Sequence, residues 1–207
     1  MAYGRKHEGD AVASYASLMG SRGFNAQVRE TGLHVHEVYS FLAASPDRIV
    51  VVDGEEGLLE VKCLPSKKGI TAEEACKDPK FCCKLENGDI VLKEKHSYYY
   101  QVQGQMAVTG HTWCDFVLWT ERSEETEPDH IHVQRIVLDQ LFWQNEMLPA
   151  LLHFARHAFV PELLTRRTKS WAHYTHEDNM CRSRKSQKAL YVCQSGDGLT
   201  MKIRKLK

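Results

Sequence analysis

The sequence contains no long hydrophobic run. Its longest apolar stretches, such as Ile49 to Val52, span only a few residues, whereas a membrane-spanning helix needs about 20. The first ten residues are polar and charged and do not resemble the apolar core of a secretory signal peptide. These absences predict a protein that works without a membrane.

The sequence also lacks an excess of either charge, because 27 Lys and Arg balance 27 Asp and Glu. This balance excludes a histone-like protein that coats nucleic acid through its overall charge, but it leaves a local basic groove open. Neither repeats nor low-complexity tracts occur. A length of 207 residues and a hydrophobic fraction of 43% are typical of one globular domain with an extension.

A disulfide framework is missing as well. The seven cysteines are odd in number and lack framework spacing, which is typical of a reducing compartment. We therefore predict an intracellular protein, located in the nucleus if its source is eukaryotic. Cys76, Cys82 and Cys83 cluster, but without a CxxC pair they are predicted to be free thiols rather than iron–sulfur ligands.

Apolar spacing and turn residues predict the secondary structure. A first helix over residues 5–20 carries Val12, Tyr15 and Met19 on one face, and Glu8 lies on that same face. Further strands are predicted at Gln27–Arg29, Leu33–Val38, Cys114–Thr120 and His130–Val137, and an acidic loop at 121–129 separates the last two. Further helices are predicted at 94–108 and at 139–158, the second with a kink at Pro149. Residues 64–92 are predicted to form a long connection with one helical turn near Ala72–Lys77. This order indicates an α/β or α+β fold, with a central mixed β-sheet flanked by helices.

The strongest local pattern is a β-hairpin. The β-branched run Ile49–Val52 precedes turn residues at 53–57, and a second strand follows at Leu58–Cys63. Alternation along that strand places Glu60 and Lys62 on the same face. Antiparallel pairing would bring Asp47, just before the first strand, close to Glu60.

Two carboxylates and an ammonium group at one sheet end suggest metal-dependent chemistry. Neighbouring acids repel each other unless a cation lies between them, and oxygen ligands suit Mg²⁺ or Mn²⁺. Hydrolysis of a phosphodiester uses such a cation together with a basic side chain. The alternative is structural: a Glu-X-Lys sequence is commonly a solvated ion pair, and an Asp after Pro commonly starts a turn.

Four segments, in this order, resemble the YqaJ-like viral recombinase, or lambda exonuclease, family of the PD-(D/E)XK nuclease superfamily. They are Gly4–Ala11, Ser45–Arg48, Gly57–Cys63 and Tyr98–Gly110. The resemblance covers about residues 4–160 and implies a restriction-endonuclease-like core within a nuclease domain at residues 1–164.

The resemblance also implies roles for individual residues. Asp47 and Glu60 would be metal ligands, with the Val61 carbonyl as a further ligand. Lys62 would activate or position the attacking water, and Glu8 on the first helix would help to hold a second metal or its waters. The implied cofactor is Mg²⁺ or Mn²⁺.

The helix after the hairpin contributes supporting residues by the same resemblance. Gln101 would support the site directly. Tyr98, one turn earlier, would either line the groove or pack in the core. Gln105, one turn later on the same face, is a weaker candidate.

The implied function is a divalent-metal-dependent deoxyribonuclease, an exonuclease that acts on duplex DNA ends during recombination of a virus or mobile element. The implied partners are DNA, further copies of the chain in a ring-shaped homo-oligomer, and a recombination partner protein. Two alternatives stay open. One is a DNA-binding module of this fold that no longer cuts, and the other is an endonuclease with the same metal site.

The C-terminal segment differs from the rest of the chain in charge. After Thr165 it carries eleven Lys and Arg against three Asp and Glu, with little apolar periodicity. We predict that residues 165–207 form a basic, weakly structured tail. Such a tail is either a solvated extension, or a segment that binds phosphates or directs nuclear import.

Overall fold

A computed structural model describes residues 2–122 and 130–165. The strands, in chain order, are β1 (Ala26–Arg29), β2 (His34–Val35), β3 (Ala43–Ala44), β4 (Arg48–Val52), β5 (Glu55–Cys63), β6 (Cys83–Glu86), β7 (Asp89–Leu92), β8 (Trp113–Thr120) and β9 (His130–Val137). The helices are α1 (Ala2–Ser21), α2 (Ala72–Ala75) and α3 (Ser97–Thr109), with a 3₁₀ turn at Pro65–Lys67. A C-terminal helical region follows, in which α-helical pieces Gln140–Phe142, Leu148–Phe154 and Val160–Thr165 alternate with π-helical turns at Trp143–Met147 and Ala155–Phe159.

Five of the strands form a central sheet in the order β1-β4-β5-β8-β9. The β5–β8 pair is parallel and the other pairs are antiparallel. Parallel neighbours need a long crossover, and the chain between β5 and β8 contains α3. The prediction of a central mixed sheet flanked by helices is thus confirmed.

The two faces of the sheet bury different helices. On one face, α1 contributes Ala11, Tyr15 and Met19 to a core that includes Leu59 and Val61 of β5. On the other face, Leu58 of β5 packs with Val102 and Met106 of α3. Alternate residues of β5 therefore face different helices, and Glu60 shares the α3 face with Leu58.

A hydrogen-bonded group around the buried Asp115 ties α1 to the sheet. The hydroxyl of Tyr15 donates to Asp115 of β8 at 2.7 Å, and Arg135 of β9 donates to the same carboxylate at 2.9 and 3.0 Å. The guanidinium of Arg135 also lies over the Trp113 ring, 3.7 Å from its centroid. Burial, and then the Asp115 carboxylate, raise the pKa of Tyr15 well above its usual value. These contacts fix the position of α1, which carries Glu8.

The predicted hairpin forms, but with a shorter turn. Only Asp53 and Gly54 connect the strands, and Val52 pairs with Glu55. Both turn residues have positive φ, 50° and 92°, which is the type I′ geometry that matches the twist of paired strands. The prediction of a five-residue turn at 53–57 was therefore wrong.

Other predicted boundaries also differ from the structure. The strand predicted at Leu33–Val38 is limited to the two residues of β2, which pair with β3. Helix α3 begins at Ser97 rather than Glu94, because the His96 side chain accepts a hydrogen bond from the Tyr98 N–H and caps the helix. The C-terminal helical region extends past Ala158 to Thr165, and Pro149 is the second residue of the α-helical piece that follows its first π-helical turn.

The connection 64–92 holds more structure than we predicted. The helical turn is α2, at Ala72–Ala75, and strands β6 and β7 form a second hairpin. The turn of this hairpin is Asn87-Gly88, and both residues have positive φ. Asn-Gly is a strong hairpin signal, and this hairpin was missed in our prediction from the sequence.

Within the described residues, no helix is both long and apolar enough to cross a membrane. The five described cysteines form no disulfide bond: Cys63, Cys76, Cys82, Cys83 and Cys114. The basic tail beyond Thr165 and residues 123–129 of the acidic loop lie outside the described residues.

Candidate active site

Glu60 lies at the centre of the site and is only 1% exposed. Helix α3 supplies two amide donors on one face, four residues apart. The Gln101 side chain donates to Glu60 Oε1 at 2.5 Å, and the Gln105 side chain donates to Glu60 Oε2 at 2.9 Å. Both carboxylate oxygens are therefore held in fixed positions inside the protein.

Lys62 lies beside Glu60 on the same face of β5, as the strand alternation predicted. Its ammonium group forms an ion pair with Glu60 Oε1 and lies 4.7 Å from the centroid of the Tyr98 ring. Burial alone would lower the pKa of Lys62, but the carboxylates of Glu60 and Asp47 outweigh it and raise the pKa above its usual value. Tyr98 thus contacts the site and also packs against the α3 core cluster.

Asp47 immediately precedes β4 and completes the acidic pair. Since Arg48 pairs with Leu59, the same register places Asp47 opposite Glu60. Asp47 Oδ2 accepts a hydrogen bond from the Val61 N–H at 2.8 Å. Burial, and then the negative charge of Glu60, raise the pKa of Asp47 to about 7. The charge of Glu60 therefore favours the protonated form of Asp47.

The raised pKa of Asp47 predicts a pH-dependent stability of the metal-free chain. The unfolded carboxyl ionises near pH 4, whereas the folded one keeps its proton to about pH 7. Stability from this group is therefore lost as pH rises through that window. We expect Asp47→Asn to raise the free energy of unfolding by roughly 1–3 kcal/mol at pH 8, and by much less near pH 4. Urea unfolding in EDTA at both pH values tests this, and an equal effect at the two would contradict it.

The main chain of Val61 faces the same edge. In a β-strand the N–H and C=O of one residue point to the same side, and the Val61 N–H points to Asp47. The register places Pro46 opposite Val61, and proline has no N–H to donate to the Val61 carbonyl. This carbonyl is therefore suited to bind a cation next to Asp47.

Glu8 approaches from α1, on the opposite face of the sheet from α3. Its carboxylate pairs with Arg48, with Arg48 Nη1 at 2.6 Å from Glu8 Oε1. Its charge reaches Asp47, but it adds less to the raised pKa of Asp47 than burial and Glu60 do. Glu8 thus lies at the border of the site and is held by an arginine.

The donor set fits one Mg²⁺ or Mn²⁺. Two carboxylates and a carbonyl are oxygen ligands, and Mg²⁺ usually takes one or two carboxylates and keeps several waters. No group of three or more His, Cys, Asp or Glu in the described ranges 2–122 and 130–165 is arranged to hold a metal. The third acid, Glu8, is paired with Arg48.

The structure brings together most of the predicted site residues: Asp47, Glu60, Val61, Lys62 and Gln101. Gln105, predicted as a weaker candidate, also contacts Glu60 directly. Arg48 was missed, because its sequence position does not reveal that α1 lies over it. Its register partner Leu59 faces α1, and paired residues face the same side of a sheet, so the pairing would have indicated that Arg48 faces α1 as well.

Comparisons with known proteins identify the family of the chain. The profile of the YqaJ-like viral recombinase domain family matches residues 1–112. An alkaline exonuclease (LHK-Exo) from Laribacter hongkongensis is 30% identical, with a TM-score of 0.48, and the match covers 78% of this chain and 67% of that one. LHK-Exo in complex with dAMP is also 30% identical, with a TM-score of 0.50, covering 80% of this chain and 69% of that one.

A search of curated proteins found no significant match. The profile match spans more than half of the 207 residues and includes Glu8, Asp47, Glu60, Lys62 and Gln101. Together with the likeness to LHK-Exo in complex with dAMP, it supports a nuclease of the lambda-exonuclease type. The chain belongs to the YqaJ-like viral recombinase domain family.

Proposed function

We propose that the chain is a Mg²⁺- or Mn²⁺-dependent deoxyribonuclease that removes nucleotides from the ends of duplex DNA. Its setting would be the recombination of a virus or mobile element. The observation that carries the proposal is the convergence of Asp47, Glu60 and Lys62 at the end of one β-hairpin. Phosphodiester hydrolysis needs a cation site and a positive side chain at the same place.

The acids would hold the metal. Asp47, Glu60 and the Val61 carbonyl are the proposed ligands, and the repulsion between the two carboxylates favours a bound cation. Mg²⁺ held there would polarise the phosphoryl group and lower the pKa of a water molecule. The two glutamines of α3 would keep Glu60 oriented when substrate arrives.

Lys62 would act on the reacting phosphate. Its ammonium group contacts both Glu60 and the Tyr98 ring, and these contacts restrict the conformations of the side chain. From there it would donate to the attacking water or to the phosphate oxygen on which negative charge develops. Pre-positioning of this kind lowers the barrier, because no reorganisation is needed during the reaction.

DNA as the substrate is supported by one of the similar structures. LHK-Exo was crystallised with dAMP, a deoxynucleotide of the kind that a DNA exonuclease releases. The homo-oligomer, the recombination partner protein and the nuclear location stay predictions.

The test compares linear, 5′-phosphorylated duplex DNA with a covalently closed circle of the same sequence, in Mg²⁺ and in EDTA. Strands labelled at either end report the polarity of digestion. We expect the linear DNA to be degraded from its ends in Mg²⁺ only, and the circle to stay intact.

The other outcomes decide against parts of the proposal. Cutting of the closed circle would replace the exonuclease with an endonuclease that uses the same site. Salt-sensitive binding of linear DNA without any cleavage would favour the inactive DNA-binding module. Degradation that continues in EDTA would contradict the metal site.

A further inference from the structure

Arg48 links the two parts of the site. One guanidinium nitrogen, Nη1, lies 2.6 Å from Glu8 Oε1 and donates to the Asp47 carbonyl oxygen at 2.5 Å. The side chains of Arg48 and Glu8 are 22% and 28% exposed, so water only partly screens the pair. The arginine therefore holds Glu8 against the strand that carries Asp47.

The register explains why this position reaches α1. Arg48 pairs with Leu59, and Leu59 faces the α1 cluster, whereas Glu60 faces α3. Arg48 is the first residue of β4, so its side chain lies at the sheet end, next to the acids. A guanidinium group is permanently charged, and here it occupies the space between Glu8 and the Asp47 main chain.

We propose that Arg48 takes the place of a second metal ion, so that the chain binds one divalent cation, at Asp47 and Glu60. The inference rests on the proposed function, because it assumes that the site binds a metal. Glu8 then acts as the counter-ion of Arg48 and not as a metal ligand.

The charge balance supports this assignment. With Asp47 ionised, as a metal ligand must be, three carboxylates (Glu8, Asp47 and Glu60) face two cations (Lys62 and Arg48), which leaves one net negative charge. One divalent ion reverses that charge to a single positive one, which a phosphodiester would neutralise. A second divalent ion would have to displace Arg48 from Glu8 and would add to the positive charge beside Lys62, which is unfavourable.

The experiment counts bound Mn²⁺ without DNA. Electron paramagnetic resonance measures free Mn²⁺, and the bound number per chain follows from a titration. We compare the wild type with Arg48→Met, which keeps the apolar stem but removes the charge, and with the double variant Arg48→Met plus Glu8→Gln. Arg29→Met is the matched control, since it removes an exposed Arg–Glu pair with Glu56 elsewhere on the sheet. Circular dichroism confirms that each variant is folded.

We expect the wild type and Arg29→Met to bind one Mn²⁺, and Arg48→Met to bind about two, since freed Glu8 becomes a ligand. The double variant should return to one. Two ions in the wild type would overturn this inference but leave the proposed metal-dependent function intact. One ion in Arg48→Met would also overturn it. No binding to the wild type would contradict the proposed metal site itself.

Discussion

Replacing Glu60 by Gln is expected to lower the rate of DNA cleavage by about 10³-fold or more. Gln keeps the size of the side chain but removes the charge that would bind the metal and that holds Lys62. Cleavage of linear duplex DNA in Mg²⁺ measures the effect. Thermal unfolding is recorded in parallel, because loss of one partner from a buried pair also costs stability.

The chain contains its own control for this substitution. Lys84 and Glu86 form an ion pair at 3.0 Å with the same two-residue spacing on a strand, but both side chains are about half exposed. This pair is the solvated arrangement that the sequence alone left open for Glu60 and Lys62. Glu86→Gln should therefore leave cleavage unchanged. Equal activity of the two variants would mean that Glu60 has no catalytic role.

The largest effect on stability is expected at Gly57, the third residue of β5. A Cβ atom added there would lie 2.3 Å from the ring of Trp113, which is far inside contact distance. The ring cannot move away easily, because it is buried and Arg135 lies over its face. Gly57→Ala is therefore expected to lower the free energy of unfolding by about 3 kcal/mol, as overpacking of a dense core does.

Denaturant unfolding measures this effect, and Gly20→Ala is its control. Gly20 lies in α1 with no atom within 4 Å of an added Cβ, so Ala should be neutral there or stabilise by up to about 1 kcal/mol. If Gly57→Ala were as stable as the wild type, the close approach of Trp113 to β5 would be wrong.

Gly57 also shows where the sequence was informative and where it was not. The β-branched run and the acidic turn predicted the hairpin, because those signals are local. The same composition led us to include Gly57 in the turn, although its small size serves a contact with Trp113, which is far away in sequence. Positive φ at Asp53 and Gly54 shortens the turn to two residues, and that register places Asp47 opposite Glu60.

In the site, too, the local pattern was predictable from the sequence and the contacts between distant elements were not. The pairing of Glu60 and Lys62 came from strand alternation, and the resemblance to the family added Asp47, Gln101 and Glu8. Gln105 ranked low because helical spacing alone does not show which face of α3 meets β5. Arg48 was missed because its contact with Glu8 depends on how α1 packs over the sheet. Contacts between distant elements were the part that the sequence did not reveal.

The most direct test of the central claim is the release of acid-soluble nucleotides from linear, 5′-phosphorylated duplex DNA by the wild type and by Lys62→Ala. The reactions contain Mg²⁺, with EDTA and Lys84→Ala as controls. The account predicts release by the wild type and Lys84→Ala in Mg²⁺, none in EDTA, and none by folded Lys62→Ala. Release by Lys62→Ala at the wild-type rate would contradict a catalytic site built on Asp47, Glu60 and Lys62.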